Sequence, residues 1–206
     1  MHLTPFRSTR SVAKALEQYR SLQVHIQLWL DKSSKTLLIT SALPQAGTST
    51  ISANLATLIA YSGHEVLVVD ACVKRPQLSH IFGIRGISGL TSALQDPYKW
   101  EDAVKETRIA RLWVMPSWQK EPNQLVDGAA IMTLLDLLRQ RYGIVIIDGA
   151  NIMDSADTLM WARVVDGVVL VVPSGRASRH VYLKALSELE YAHAPVIGSV
   201  LTQMRG

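Results

Sequence analysis

The chain carries one cysteine, Cys72, so no disulfide can form within it, and this sparing use suits a reducing cytoplasm. It lacks any apolar run near the ~20 residues that cross a bilayer. The opening MHLTPFRSTR has no apolar core of a secretory leader. Blocks of like charge are also missing. The net charge of +4 comes from scattered positives, which favours solvated surface over a nucleic-acid footprint and leaves an acidic partner or an anionic membrane face compatible. The histidines show no paired spacing for zinc, and no G-x-S-x-G turn raises a nucleophilic serine. With 48% hydrophobic and 18% charged residues, disorder is excluded, and 206 residues suffice for one substantial core, read as one domain over 1–206.

What is present is a series of short, unbroken apolar runs. KTLLIT, GHEVLVVD, LWVMP, IVIID, DGVVLVV and APVIGSVLT are rich in Val, Ile and Leu without alternation, the pattern of strands buried on both faces. Helical segments separate them: one from about Thr50 to Ser62 that stops at Gly63, GAAIMTLLDLLRQRYG ending at Gly143, and ASRHVYLKALSELEYAH. Ahead of all of these, Val12, Leu16, Tyr19, Leu22 and Ile26 recur at steps of three and four, which predicts an amphipathic helix over about 11–31. Strands alternating with helices predict an α/β fold, doubly wound, with a mostly parallel sheet and helices on both faces.

In such sheets ligands bind beyond the carboxyl ends of the strands. Three segments meet at that edge: the loop after KTLLIT, Asp70 after EVLVV, and Asp148 after IVII. SALPQAGTSTISANLA has the strand, small-residue loop and helix layout of a phosphate cradle, in which backbone N–H groups and a helix N-terminus hold the anion. Gly47, Thr48, Ser49 and Thr50 form that candidate cradle, although Thr48 stands where such a loop carries its lysine. Lys74 and Arg75 could reach phosphate from the side, or be solvated surface charge. Trp113 and Trp118 flank the third strand and read as packing, with Trp118 in a loop that a partner could cover.

Nearly the whole chain resembles the cytoplasmic kinase domain of bacterial tyrosine kinases, the partners of polysaccharide chain-length proteins, within the wider MinD/ParA class of P-loop ATPases. EQYRSLQVHI is similar to that family's E-x-x-R-S-L-R helix, and SALPQAGTSTISANLA to SAxPxxGKST…NLA. VLVVDACVKRPQLSHIFGI is similar to VLLIDADLRRPxLHxLFG, and RYGIVIIDGANIMDSAD to YDxVIIDTPPxxxxxDA. The extra lysine that opens MinD and ParA loops is absent, and the YRSL helix argues further for the kinase branch. The resemblance implies a P-loop NTPase-like fold and ATP or ADP with Mg²⁺, the ion held by Ser49, Asp70 and Asp148. It also implies a subunit interface on the helix bearing Glu17 and Arg20.

The departures from the pattern fall at the chemistry. Thr48 brings no charge to the phosphates, and charge-assisted hydrogen bonds are about twice as strong as neutral ones. The D-A-D stretch reads Asp70-Ala71-Cys72, a thiol where Mg²⁺ prefers oxygen. DTPP has become DGAN, Asp148 to Asn151; the helix motif's last arginine is Gln23; and VLN, whose asparagine would help read the base, is Val200-Leu201-Thr202. No tyrosine cluster appears near MRG. The expectation is a catalytically degenerate pseudokinase with no cofactor, Asp70 and Asp148 being vestigial. It would act as a regulatory or scaffold subunit of exopolysaccharide synthesis or export, cytoplasmic and peripheral to the inner membrane. Its partner there would be a chain-length, co-polymerase or polymerisation protein, with self-association possible through the N-terminal helix. Two alternatives stay open. One is an active tyrosine kinase or ATPase with Asp70 as base and Lys74, Arg75 or a partner's residue replacing the lysine. The other is a MinD-like positioning ATPase, for which LTQMRG offers no membrane helix.

Overall fold

The computed structural model describes residues 9–29, 36–85, 88–117, 127–176 and 178–202, with side chains in the first segment from residue 17 onward. Trp118 lies outside these residues. Seven strands, β1 (Thr36–Ser41), β2 (Val66–Asp70), β3 (Lys105–Glu106), β4 (Leu112–Met115), β5 (Ile144–Asn151), β6 (Gly167–Pro173) and β7 (Val196–Thr202), form one sheet in the order β3-β4-β2-β5-β1-β6-β7. All neighbours are parallel except β3 with β4. The longer helices are α1 (Thr9–Trp29), α2 (Thr48–Tyr61), α6 (Gly128–Arg141), α7 (Ala156–Val164) and α8 (Arg179–Tyr191). Short helices α3 (Leu78–Phe82), α4 (Leu90–Gln95) and α5 (Trp100–Ala103) lie between β2 and β3.

The unbroken apolar runs become strands covered on both faces, as expected. Successive side chains alternate across the sheet, so Leu37 and Ile39 of β1 join one apolar layer and Leu38 joins the other. The first layer, with Val66, Val68, Ile144 and Ile146, packs against Ile51, Leu55 and Ile59 of α2 and Ile26 of α1. The second, with Leu67, Val69, Val145 and Ile147, packs against Leu134 and Leu138 of α6, Trp161 of α7, and Ala185 and Leu189 of α8. Each fully buried Leu or Ile contributes about 1.5–3 kcal/mol relative to exposure, so β1, the root of the candidate cradle, is held firmly from both sides.

Two local expectations needed correction, and one strand was unforeseen. β3, a two-residue antiparallel edge, is too short to show any periodicity in the sequence. β7 is not buried on both faces: among the described residues it pairs with β6 alone, and Val196 and Leu201 are 38% and 61% exposed. Helix α2 begins at Thr48 and not at Thr50, because Thr and Ser suit a helix's first turn even though they read as loop in isolation. It ends at Tyr61 before Gly63, as the glycine foretold.

Helix α1 packs Tyr19, Leu22, Ile26 and Trp29 into the apolar layer that contains α2, with the Trp29 ring over Gly167 of β6. Gln23 donates to the carbonyl of Leu58 at 3.3 Å and Gln27 to Ser62 Oγ at 2.9 Å. The residue that replaces the motif's last arginine is thus spent inside the chain, while Glu17 and Arg20 are exposed. At the amino end of β1, Arg139 Nη2 bonds Thr36 Oγ1 at 3.0 Å, Val164 O at 3.0 Å and Asp166 Oδ1 at 3.2 Å, tying α6 to the start of β1. Trp113 packs its ring 5.4 Å from Tyr142, with the Arg141 guanidinium over it, which bears out its packing role.

Candidate nucleotide site

β1 lies in the interior of the sheet, between β5 and β6, and the loop leaving it turns directly into α2. Gly47, the last residue before the helix, has φ +93°, a left-handed conformation that side chains resist. The Ile51 N–H bonds the Gly47 carbonyl at 3.0 Å, so the helix is engaged from its first turn. This shape aims the N-terminal end of α2, with its partial positive charge, across the carboxyl edge of the sheet. Thr48 and Ser49 are half-buried there and Thr50 is exposed.

Asp148 lies beneath that turn. Its backbone pairs with Ile39 of β1 and Asp70 of β2, so the two carboxylates stand side by side on adjacent strands. Both residues are fully buried. Ser52 Oγ donates to Asp148 Oδ1 at 3.1 Å and lies 3.0 Å from the carbonyl of Thr48. Burial first, and the Asp70 charge second, push the Asp148 carboxyl up to about 8, against the lowering effect of Ser49 and Ser52. Its Oδ2 has no hydrogen-bond partner among the described residues.

Asp70 is engaged differently. Its Oδ2 accepts the N–H groups of Gln77 and Leu78, both at 3.0 Å, and its Oδ1 accepts that of Cys72 at 3.2 Å. Those bonds fold the chain after β2 around the carboxylate. Burial still outweighs them and raises this carboxyl to about 6. The Cys72 thiol, raised to about 11 by burial and then by Asp148 and Asp70, stays neutral.

Three sequence-predicted features therefore come together: the cradle of Gly47, Thr48, Ser49 and Thr50, the Asp70–Asp148 pair, and Cys72. Lys74 and Arg75 sit exposed on the turn after β2, where Arg75 N–H bonds the Cys72 carbonyl at 3.0 Å. Sequence reasoning missed Ser52, which shares a helix face with Ser49 three residues earlier. It also missed Arg176, whose Nη1 and Nη2 donate to the carbonyls of Gln45 at 3.1 Å and Pro44 at 3.3 Å. Thr202 was noted as a loss, yet its hydroxyl donates to the Ala46 carbonyl at 2.8 Å.

An orphaned, buried carboxylate oxygen beside the Ser49 hydroxyl is a hard-oxygen donor set that fits Mg²⁺, whereas Cys72 does not. The turn into α2 fits a phosphate, with Thr48 standing where a lysine would grip it.

A central strand, a left-handed glycine, a helix N-terminus and an acidic strand end define a P-loop NTPase-like α/β protein. The fold is shared with the cell division ATPase MinD of Pyrococcus furiosus, with a TM-score of 0.71 and 22% identity over 82% of this chain and 71% of that one. Similarity is greater to tyrosine kinases. The chain is 32% identical over 188 residues to the tyrosine-protein kinase YwqD of Bacillus subtilis, covering 90% of this chain and 79% of that protein. The structure of the chimerical protein CapA2B2 matches with a TM-score of 0.85 and 31% identity, over 97% of this chain and 87% of that one. The succinoglycan biosynthesis transport protein ExoP of Rhizobium meliloti is 27% identical over 182 residues, which are 86% of this chain and 23% of that protein. No protein-family model matches. The chain belongs to the bacterial tyrosine-protein kinase family.

Proposed function

We propose that this chain is a non-catalytic, kinase-like subunit of bacterial exopolysaccharide synthesis or export, a regulator or scaffold built on a phosphate-loop fold. The observation that carries the reading is the uncharged residue that opens the cradle where a phosphate-gripping lysine would stand. Helix α2 opens on Thr48, whose hydroxyl is uncharged; the Arg176 guanidinium is committed to loop carbonyls. Phosphoryl transfer depends on positive charge aimed at the transferring group. Shape without charge favours a role in which the loop edge and α1 are surfaces for partners.

The polysaccharide context rests on relatives, among them one named for succinoglycan biosynthesis transport. The partner class is an inner-membrane chain-length, co-polymerase or polymerisation protein, which would hold the chain at the membrane's inner face. None of the described helices is long and apolar enough to cross a membrane. Exposed Glu17 and Arg20 on α1 are the surface for self-association.

One observation favours a second reading, an active kinase or ATPase: the orphaned Oδ2 of Asp148 beside Ser49. Those two residues would hold Mg²⁺, which when bound supplies positive charge to phosphate oxygens. Asp70 serves this reading less well, because its carboxylate is already an acceptor for three backbone N–H groups.

Calorimetry with Mg·ATP on the parent and a Thr48→Lys variant, beside a phosphotyrosine assay with and without magnesium, separates the two. The non-catalytic reading expects parent binding weaker than about 1 mM (about −4 kcal/mol) and no phosphotyrosine. Micromolar binding with magnesium-dependent phosphotyrosine, abolished by Asp148→Asn, would replace it with the enzyme. Co-purification that brings down no envelope polysaccharide protein would remove the proposed partner.

A further inference from the structure

We propose that Arg176 and Thr202 are positioning residues that hold the phosphate loop in its anion-accepting shape. The inference rests on reading that loop as a phosphate cradle. Three successive carbonyls are drawn to one side: Pro44 and Gln45 by the two ends of the Arg176 guanidinium, and Ala46 by the Thr202 hydroxyl. A trans peptide is planar, with its N–H opposite its C=O. Fixing the carbonyls of Gln45 and Ala46 therefore turns the N–H groups of Ala46 and Gly47 the other way, and N–H groups are what a phosphate cradle presents.

The loop has reason to need such a tether. Gln45 has φ +56° and Gly47 φ +93°, so two left-handed residues bracket Ala46, and the first is not a glycine. N–H dipoles gathered toward one point repel one another when no anion is bound. A lysine beside the phosphates would help to hold the filled state, and Thr48 cannot.

The tether is itself anchored. Thr202 ends β7 opposite Pro173 of β6, and Ser174 N–H bonds the Thr202 carbonyl at 2.7 Å. Arg176 N–H bonds the Pro173 carbonyl at 3.3 Å. Both side chains therefore reach the loop from the neighbouring strand ends. A second sign of a ligand stands below the loop: the fully buried Asp148, its Oδ2 without a partner among the described residues.

The test uses the full chain in two backgrounds, parent and Thr48→Lys, with Arg176→Ala, Arg176→Lys and Thr202→Val in each. Amide hydrogen exchange at Ala46 and Gly47 reads the free loop, and calorimetry with Mg·ADP reads binding. Thermal melts confirm folding, and Thr202→Val keeps the side chain's shape. Arg176→Ala is expected to speed exchange at both amides and to weaken Mg·ADP about tenfold in the lysine-bearing background. Arg176→Lys should recover part of both effects, and Thr202→Val should shift both in the same direction as Arg176→Ala. If Thr48→Lys binds and Arg176→Ala changes neither exchange nor affinity, the tether is wrong. If no variant binds Mg·ADP even with the lysine supplied, the cradle reading falls and takes this inference with it.

Discussion

Asp148→Asn is expected to stabilise the folded chain, and to do so more strongly as the pH rises. The carboxyl moves from its ordinary 3.8 to about 8 in the fold, chiefly through burial and then through the neighbouring Asp70. Because the folded pKa lies above the unfolded one, the folded chain keeps a proton that the unfolded chain has released. The associated stability is complete below the unfolded pKa and is lost as pH rises through the folded one. Each pH unit in that window costs about 1.4 kcal/mol, so the ceiling between about pH 5 and about pH 8 is roughly 4 kcal/mol. Asp70, raised to about 6 by its own burial, stands beside Asp148 and titrates within the same window, so the two contributions are not independent. Cys72, raised from 9.0 to about 11, enters the slope only at the alkaline end, where the unfolded thiol begins to ionise and the folded one does not. Relaxation and entering water reduce the expected loss to the order of 2–3 kcal/mol. Asparagine imitates the protonated acid, keeping an acceptor for Ser52 and removing the charge. Urea unfolding, followed by tryptophan fluorescence, should therefore find parent and variant within about 1 kcal/mol near pH 5, with the variant ahead by about 2–3 kcal/mol near pH 8.5. A gap that does not change with pH, or a variant less stable at the alkaline end, would refute the reasoning.

A Cβ on Gly149 would stand 2.8 Å from Leu38 Cδ1 and 3.3 Å from the Ile39 carbonyl. Gly149→Ala is thus expected to cost about 1–3 kcal/mol, and Leu38→Val to recover part of it in a double-mutant cycle; strict additivity would mean the crowding is imaginary. Cys72, raised from 9.0 to about 11, should react with iodoacetamide far more slowly in the folded chain than in urea, approaching 100-fold from thiolate fraction alone. Equal rates would contradict its burial beside two carboxylates. Arg139→Met should destabilise by about 1–3 kcal/mol, because it removes an ion pair to the half-buried Asp166 and a donor to the Val164 carbonyl. Denaturant titration that finds no change would show the cluster to be dispensable.

The central strands were legible because burial on both faces leaves no polar residues to interrupt them. The cradle was legible because its parts are contiguous: strand, small-residue loop and helix occupy one short stretch. Asp70 and Asp148 could be placed because both end apolar runs, and strand ends converge in a parallel sheet. What stayed hidden depends on distance along the chain. Arg176 meets Gln45 across 131 residues and Thr202 meets Ala46 across 156, and no local pattern marks either pair. Glycine at position 149 reads as a lost motif residue until Leu38 is seen filling the space above it. The exposure of β7 was missed because an apolar run looks the same at a sheet's edge as at its centre. Gln23, likewise, was read as the loss of an arginine and not as a bond to α2.

The placement of β1 between β5 and β6 also sets an order of events at the ribosome. Thr40 must wait for Ala150, 110 residues later, and Thr36 for Asp166, 130 residues later. At bacterial elongation rates that is a delay on the order of 5–25 s, during which the apolar TLLITS has no strand beside it. The phosphate loop is thus written early and assembled late. Nascent chains arrested before residue 167 should leave it open to protease, and anything that slows the arrival of β5 or β6 prolongs the exposure of β1 to chaperones and to misassembly.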